Sequence, residues 1–526
     1  MTSEASETRE QADPQPLIAR LRLRADELSD ESRAEAVAVQ HAKGKLTARE
    51  RIALLTGGDF QEFGRFAGPG PVQPGSPPLI APGDGVVTGV GRVDGRPVAI
   101  ASFDFTVLGG SNGAIGMSKL ERCVERCLVD RIPLVMLMDG GGHRMQEGLD
   151  SRLAGPGSRL LTRLVDLSGW VPTVSVFMGP GFGASANLAA LCDFVVVLRG
   201  HGLIGMSAAS FVRAATGEET TNEALAGADA QAARGVADIA ADDEQEALDA
   251  ARAYLSFLPS YADGEPLRAR GPHAAPDVDV DALVPASMRR AYDVRDVIEA
   301  LCDDSSVFEL RPTAAANIVT AFGRIHGHAV GFVANQPLHL GGALDSPACE
   351  KAAHFVAVCD TFGIPLVTLI DLPGFLIGTA AEEQQLVRRS GRLAFELGQV
   401  TVPRFSIVVR KAYGAAYIVM GGGRSIEADL SLAWPTAEIC AMPIESAVDI
   451  AYRRDYEAAP DPAARRAELV DTFRANVDPY QAADGFGIDD VVAPSETRAL
   501  LAEALERIPR RRPSRVPEKR RTVSPI

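Results

Sequence analysis

The feature that most constrains this chain is a long-range internal repeat. Residues 88–95 read TGVGRVDG, and residues 320–327 read TAFGRIHG, 232 positions later. The match runs without a gap as far as Gly142 and Gly374, with 18 identities over 55 positions. Gly109-Gly110 meets Gly341-Gly342, Lys119 meets Lys351, Cys127 meets Cys359 and Asp139 meets Asp371. Beyond that run the offset falls to 231: Ser175 meets Ser406, and Gly183-Ala184 meets Gly414-Ala415. So long a period excludes a solenoid and implies a duplicated domain. Each copy reads strand, strand, Gly-Gly loop, helix, strand, loop, helix, strand, glycine turn, helix. Strands alternating with helices predict an α/β fold of largely parallel β/α units.

A chain of 526 residues has room for both copies and flanking segments. The reading divides it into a disordered start at 1–15, an N-terminal domain at 16–265, a linker at 266–285 and a C-terminal domain at 286–526. From Leu17 to Leu55 the pattern is helical, and Thr47 followed by Glu50 fits a capping box. Residues 68–85, rich in glycine and proline, read as a loop. Strands are predicted at 85–93 and 97–103, and a helix at 241–258. The segment 262–290 carries proline and charge with little apolar pattern, which marks the boundary between copies. The basic stretch 510–521 reads as a solvated tail.

Composition narrows the class. A net charge of −16 argues against nucleic acid as the main partner. No apolar run approaches the ~20 residues of a membrane helix. The acidic start lacks the pattern of a signal peptide. The seven cysteines form no C-x-x-C pair, so they read as reduced core thiols. The expectation is a cytoplasmic protein with no metal and no membrane contact.

The candidate chemistry lies in glycine turns. Residues 410–423 read RKAYGAAYIVMGGG, after the apolar run 405–409. A strand that breaks at glycine into a helix aims N–H groups outward, where they can hold a developing negative oxygen. The competing reading is a crossing that needs small residues only for packing. The same device recurs at 182–185. Two loops, DGGGHRMQEG at 139–148 and DLPGFLIG at 371–378, leave the carboxyl ends of buried strands. Neither fits a phosphate-binding loop, a dinucleotide fingerprint or a serine nucleophile elbow. His143 is the one histidine in a glycine loop and reads as incidental rather than as a base. The inventory is rich in backbone donors and poor in acid–base side chains, which suits stabilisation of a thioester enolate.

These residues resemble the carboxyltransferase (β) subunits of biotin-dependent acyl-CoA carboxylases, of the propionyl-CoA carboxylase β type. The landmarks are HAKGKLTARERI (41–52), GDGVVTGVGRVDGRPV (83–98), DFTVLGGS (104–111), GGGHRMQEG (140–148), AATGE (214–218), CDTFGIPLVTLIDLPGFLIGT (359–379), RKAYGAAYIVMGGG (410–423) and AWPTAEI (433–439). The resemblance implies two crotonase-like domains, each a spiral of β/α units. It implies carboxyl transfer from carboxybiotin on a separate carrier protein to the α-carbon of a short acyl-CoA. The catalytic residues would be Gly183 and Ala184, facing the thioester oxygen, and Gly414, Ala415 and Ala416, facing the ureido oxygen of biotin. Substrate binding would fall to Gly109, Gly110, Lys119, Gly141, Gly142, Arg144, Tyr417 and Ile418, and biotin binding to Pro373, Gly374 and Phe375. The partners would be a biotin carboxylase and its biotin carrier (the α subunit) and further copies of this chain, as a hexamer.

The chain departs from the family pattern. Alanine replaces the second glycine of both turns, at Ala184 and Ala415, and Ser185 stands where the family has alanine. Gly140-Gly141-Gly142-His143-Arg144-Met145 replaces Ser-Gly-Gly-Ala-Arg-Ile. Gly378-Thr379-Ala380-Ala381-Glu382 replaces Gly-Thr-Asp-Gln-Glu. At the position of Ile418, aspartate is common in propionyl-preferring members, so isoleucine points to acetyl-CoA or a range of acyl-CoAs. The rival readings are a biotin-dependent acyl-CoA decarboxylase subunit, a non-catalytic ring partner, and a stand-alone hydratase or isomerase.

Overall fold

The computed structural model describes residues 15–69, 79–140, 142–148, 159–271, 273–513 and 524–525. Its N-terminal half contains β1 (Phe60–Phe63), β2 (Val86–Val93), β3 (Arg96–Phe103), β4 (Leu134–Met138), β5 (Thr173–Phe177), β6 (Pro180–Phe182), β7 (Phe194–Leu198), β8 (Leu203–Gly205) and β9 (Ile239–Ala241). Seven of these form one sheet, in the order β1-β2-β3-β4-β5-β7-β9, while β6 and β8 pair by themselves. The second half contains β10 (Phe308–Leu310), β11 (Ile318–Ile325), β12 (His328–Asn335), β13 (Leu366–Leu372), β14 (Arg404–Tyr413), β15 (Leu430–Ala433), β16 (Glu438–Cys440) and β17 (Asp490–Val491). Its sheet runs β10-β11-β12-β13-β14-β15-β17, with β16 added beside the end of β14.

The repeat is carried into register. The antiparallel hairpin pairs Val86 with Phe103 in one half and Ile318 with Asn335 in the other. The first parallel pair sets Ala99 against Leu134, then Gly331 against Leu366. Each of these positions recurs 232 residues on. The edge strands β1 and β10 also pair antiparallel, and from β3 and β12 onward the strands of both sheets pair in parallel. Their apolar runs are buried throughout, as a parallel sheet covered by helices requires.

Six helices matter below: α1 (Ala48–Thr56), α2 (Ala114–Asp130), α3 (Ala184–Ala189), α4 (Glu244–Phe257), α5 (Ser346–Phe362) and α6 (Gly414–Val419). The capping box expected at Thr47 and Glu50 opens α1. The helical pattern over 17–55 resolves into three helices, Gln15–Asp26, Ala34–His41 and α1, broken at Ser29 and at Gly44, whose φ is +73°. The start of the presumed disorder at 1–15 lies outside the described residues, but Gln15 already opens a helix. Residues 70–78 of the expected 68–85 loop also lie outside them.

Two findings go against simple sequence expectations. The start of the basic tail is half-buried and anchored rather than free in solvent. Arg511 donates to the Thr361 carbonyl (2.7 Å) and Arg512 pairs with Asp429. The second finding is that the halves share one core. Tyr254 of α4 stacks on Phe194 at 4.4 Å, while Phe257 stacks on Phe322 at 5.2 Å, and Phe322 meets Phe355 of α5. Around this aromatic cluster, Arg311 pairs with Asp238 at 2.7 Å, again across the halves.

Candidate active site

Both halves end a buried strand in a glycine turn that opens a short helix. In the first, β5 leads through β6 to Gly183 (φ +62°) and then α3. In the second, β14 leads straight to Gly414 (φ +69°) and α6. Side chains disfavour such φ values, so each turn requires glycine at this position. The residues after the glycines, Ala184 and Ala415, are helical and are not among those with positive φ. Alanine therefore leaves the backbone of both turns unstrained. Burial follows the same order in both: Gly183 and Gly414 half-buried, Ala184 and Ala415 exposed, Ser185 and Ala416 buried. The first N–H groups of a helix have no partner inside it. Each turn thus exposes backbone donors beside one methyl group, with no acidic side chain in the turn itself. The two differ in room. A Cβ on Gly183 would lie 3.9 Å from the Met206 carbonyl, whereas one on Gly414 would lie 3.1 Å from that of Ala441.

The strand-end loops lie against these turns. The Gly140 N–H donates to the Pro180 carbonyl (3.0 Å), and Gly142 sits beside the Phe182 carbonyl. Asn112 stitches the loop from both sides. Its N–H donates to the Gly142 carbonyl (2.8 Å), and its carbonyl accepts from Arg144 (3.0 Å). Leu344 repeats this with Gly374 (3.1 Å) and Leu376 (2.8 Å). Gly374 has φ +134° and open space where a Cβ would be, flanked by half-buried Pro373 and Phe375. Gly141 lies outside the described residues.

Not every residue expected to bind substrate has a side chain or backbone free to meet a ligand. Gly110 packs against the Asp139 carbonyl, which lies 2.1 Å from an ideal Cβ, so its role in this geometry is close approach of two loops; Gly109 is open. Lys119 is buried, and its ammonium group donates to the carbonyls of Gly83 (2.9 Å) and Val86. Its repeat partner Lys351 donates to three, those of Arg311 (2.9 Å), Ala314 (3.0 Å) and Ile318 (2.8 Å). Burial pushes the two amines down to about 8 and about 7. Arg144 is likewise enclosed, engaged by Asp84, by Glu147 at 2.9 Å and by the Ser111 carbonyl at 3.1 Å. Both cations position loops in this geometry and present no free charge to a ligand. Tyr417 turns its ring onto Gly422 and Gly423, and burial raises its hydroxyl to about 12. Ile418 next to it is 52% exposed. His143 is exposed, with its ring against Gly148.

Sequence reasoning found the aspartates that organise these loops but not the cations that hold them. Asp139 is buried between Lys45 (2.7 Å) and Arg51 (2.8 Å), and Arg51 also grips Glu244 at 2.6 Å. Asp371 instead takes its cations from the next strand, Arg410 (2.9 Å) and Lys411 (3.2 Å). The repeat flagged both aspartates; their partners lie too far away in sequence to be read from it. In front of Gly414, the Tyr413 hydroxyl donates to Glu438 at 2.5 Å. Among the described residues no cluster of histidine, cysteine or carboxylate side chains could hold a metal ion.

Two backbone-donor turns on duplicated α/β units are the geometry on which comparison with known proteins turns. The model of the carboxyl transferase domain matches residues 39–523. The chain belongs to the carboxyl transferase domain family. Among curated carboxyl transferase relatives is the propionyl-CoA carboxylase carboxyltransferase subunit of Haloferax mediterranei. It is 40% identical over 496 residues, 93% of this chain and 95% of that one. The methylmalonyl-CoA carboxyltransferase 12S subunit of Propionibacterium freudenreichii subsp. shermanii is 39% identical over 484 residues, 91% and 92% of the two chains. A solved transcarboxylase 12S, described as a hexamer assembly with methylmalonyl-coenzyme A and methylmalonic acid bound, superposes with a TM-score of 0.90. It is 36% identical and is matched over 100% of this chain and 99% of its own. The fold of this carboxyl transferase is the mixed α/β one expected from the repeat, and it is crotonase-like, as the family resemblance implies.

Proposed function

We propose that this protein transfers a carboxyl group from carboxybiotin, borne by a separate carrier protein, to the α-carbon of a short acyl-CoA. The observation that carries the reading is the matched pair of glycine turns, at φ +62° and +69°, each opening a helix beside a strand-end loop. In this reading the Gly183-Ala184 turn holds the thioester oxygen as charge develops on it, with Gly109 and Gly142 lining the approach. Backbone donors suit that task because they cost no reorganisation when the charge appears. The Gly414-Ala415-Ala416 turn would hold the biotin ring through its ureido oxygen, with Pro373, Gly374 and Phe375 as its wall. The residues fit such a group: N–H donors at one end, open space over Gly374, and the apolar faces of Phe375 and the exposed Ile377. Bound biotin supplies the carboxyl group; everything else is positioning by this chain. The unstrained backbone at Ala184 and Ala415 speaks for catalysis over a non-catalytic ring partner.

One half offers one turn, so a complete site takes a turn from each of two facing halves. Exposed apolar side chains in both halves, Met206 and Phe211 in one and Ile377, Ile418 and Met442 in the other, support closure by further copies of the chain. We therefore read the protein as a homo-oligomer, a hexamer by likeness to the solved relative, working with a biotin carboxylase and carrier. No helix among the described residues is long and apolar enough to cross a membrane, and we read the site of action as the cytoplasm.

The test is carboxylation of acetyl-, propionyl- and butyryl-CoA by the chain assembled with a biotinylated partner, together with carboxyl release from malonyl- and methylmalonyl-CoA to free biotin. Carboxyl transfer with no strict propionyl preference is expected. An assembled complex that yields no acyl-CoA-dependent product in either direction overturns the reading. Ile418→Asp should change the acetyl-to-propionyl ratio of kcat/KM by about tenfold or more, since one methylene in a pocket is worth ~1–3 kcal/mol. Unchanged ratios in an active complex would show that Ile418 does not touch the acyl chain.

A further inference from the structure

The two turns are backed by different chemistry. Behind Gly414, Leu344 and Ala416 are fully buried members of one apolar cluster. The residues in the same places behind Gly183 are polar: Asn112, 2% exposed, and Ser185, 3% exposed. The amide nitrogen of Asn112 lies 3.5 Å from the Ser185 hydroxyl, at the outer edge of hydrogen-bond range. Its Oδ1 is buried with no partner among the described residues. Burying such a pair is unfavourable unless its hydrogen bonds are made, so an apolar pair would be the simpler filling. The pair also occupies a junction. Asn112 holds the 142–144 loop through its backbone, and Ser185 lies in the first turn of α3, two residues after Gly183. A hydrogen bond there has direction, which apolar packing lacks.

We propose that Asn112 and Ser185 are a positioning pair that sets the first turn of α3 against the 142–144 loop and so aims the donors of the Gly183-Ala184 turn. The inference rests on the reading of that turn as the acyl-CoA oxyanion site. Neither residue touches the reacting atoms; the pair acts through the backbone of Ala184. The opposite turn needs no such device because Leu344 and Ala416 fix its helix by contact alone.

The experiment compares Asn112→Leu, Ser185→Ala and the double variant, which installs the apolar pair of the other half, in the complex assembled with its biotinylated partner. Misplacement of donors by a fraction of an ångström lowers the rate more than binding. Asn112→Leu should therefore lose about tenfold to a hundredfold in kcat, with KM for acyl-CoA within about twofold. Ser185→Ala should lose less. The double variant should recover most of the kcat lost by Asn112→Leu, and amide hydrogen exchange over 184–190 should rise in the single variants and return in the double one. Single variants with wild-type kcat and exchange overturn the proposal, as does a double variant no better than Asn112→Leu in both. If Asn112→Leu fails to assemble, Ser185→Ala decides by the same two measurements. A wild-type complex without turnover sinks the functional reading alone, because the exchange pattern still tests the pair.

Discussion

The two halves of this chain share a skeleton to the residue and disagree about what holds it. Both put an aspartate at the end of the same strand, Asp139 and Asp371, 232 positions apart. In the first half its cations come from earlier in the chain, Lys45 and Arg51. In the second they come from later, Arg410 and Lys411 on the neighbouring strand. Both put a lysine ammonium under backbone carbonyls, but Lys351 serves three and Lys119 two. Both open a helix after glycine, one backed by a polar pair and one by an apolar pair. The lesson is that duplication preserves positions where the backbone needs a group and frees the identity of whatever answers it.

The comparison can be broken most severely at the aspartates. Removing one partner from a buried ion pair strands the other charge and typically costs about 3–5 kcal/mol. Asp139→Asn should cost more than Asp371→Asn. Without Asp371, Arg410 keeps the carbonyls of Ser287 (2.9 Å) and Arg290 (2.7 Å), whereas among the described residues the Lys45 ammonium has, beyond Asp139, only the face of Phe105. Urea midpoints of the two variants measure this, and equal losses would show that origin of the cations does not matter.

Next come the turns. Gly183→Val and Gly414→Val should each lower turnover by about 10²–10³, the cost of a lost oxyanion donor. Gly414→Val should be the worse, because the Ala441 carbonyl stands closer to its new Cβ. Correctly assembled variants with wild-type turnover would remove these turns from the mechanism.

The lysines sharpen the comparison by less. Lys351→Met should destabilise by about 1–3 kcal/mol and Lys119→Met by less, as fewer carbonyls lose their donor. The pH dependence has a definite sign. The amine of Lys351 is near 7 in the fold and near 10.5 when unfolded. Between those values the unfolded chain binds more protons, so wild-type stability gains with rising pH relative to Lys351→Met. Denaturation of both proteins at pH 6.5 and 9 checks it; a gap that narrows at high pH contradicts it.

Much of this was legible in the sequence because the repeat is ungapped. Strands expected at 85–93 and 97–103 are found at Val86–Val93 and Arg96–Phe103, and the helix expected at 241–258 is Glu244–Phe257. Gly183 and Gly414 stood out because a strand-to-helix break needs their φ. Side-chain direction was not legible. The family resemblance put Lys119 and Arg144 among the substrate-binding residues, yet both turn inward to groups at Gly83, Asp84, Val86 and Glu147. Periodicity says which face of an element is buried. It does not say which distant carbonyl or carboxylate waits there, and Asn112 with Ser185, 73 residues apart, shows the same limit.

The aromatic cluster between the halves bears on how the protein is made. Phe194, Tyr254 and Phe257 leave the ribosome well before Phe308 and Phe322, the rings that pack on them. Roughly 65 residues separate Phe257 from Phe322, which at about 5–20 residues per second leaves an apolar face bare for roughly 3–13 s in every round of translation. The first half can pair its strands in that interval, but it waits for the second to close its core. An uncovered apolar face favours association with other chains, so a premature stop after the first half should release a product that aggregates more readily than the full chain.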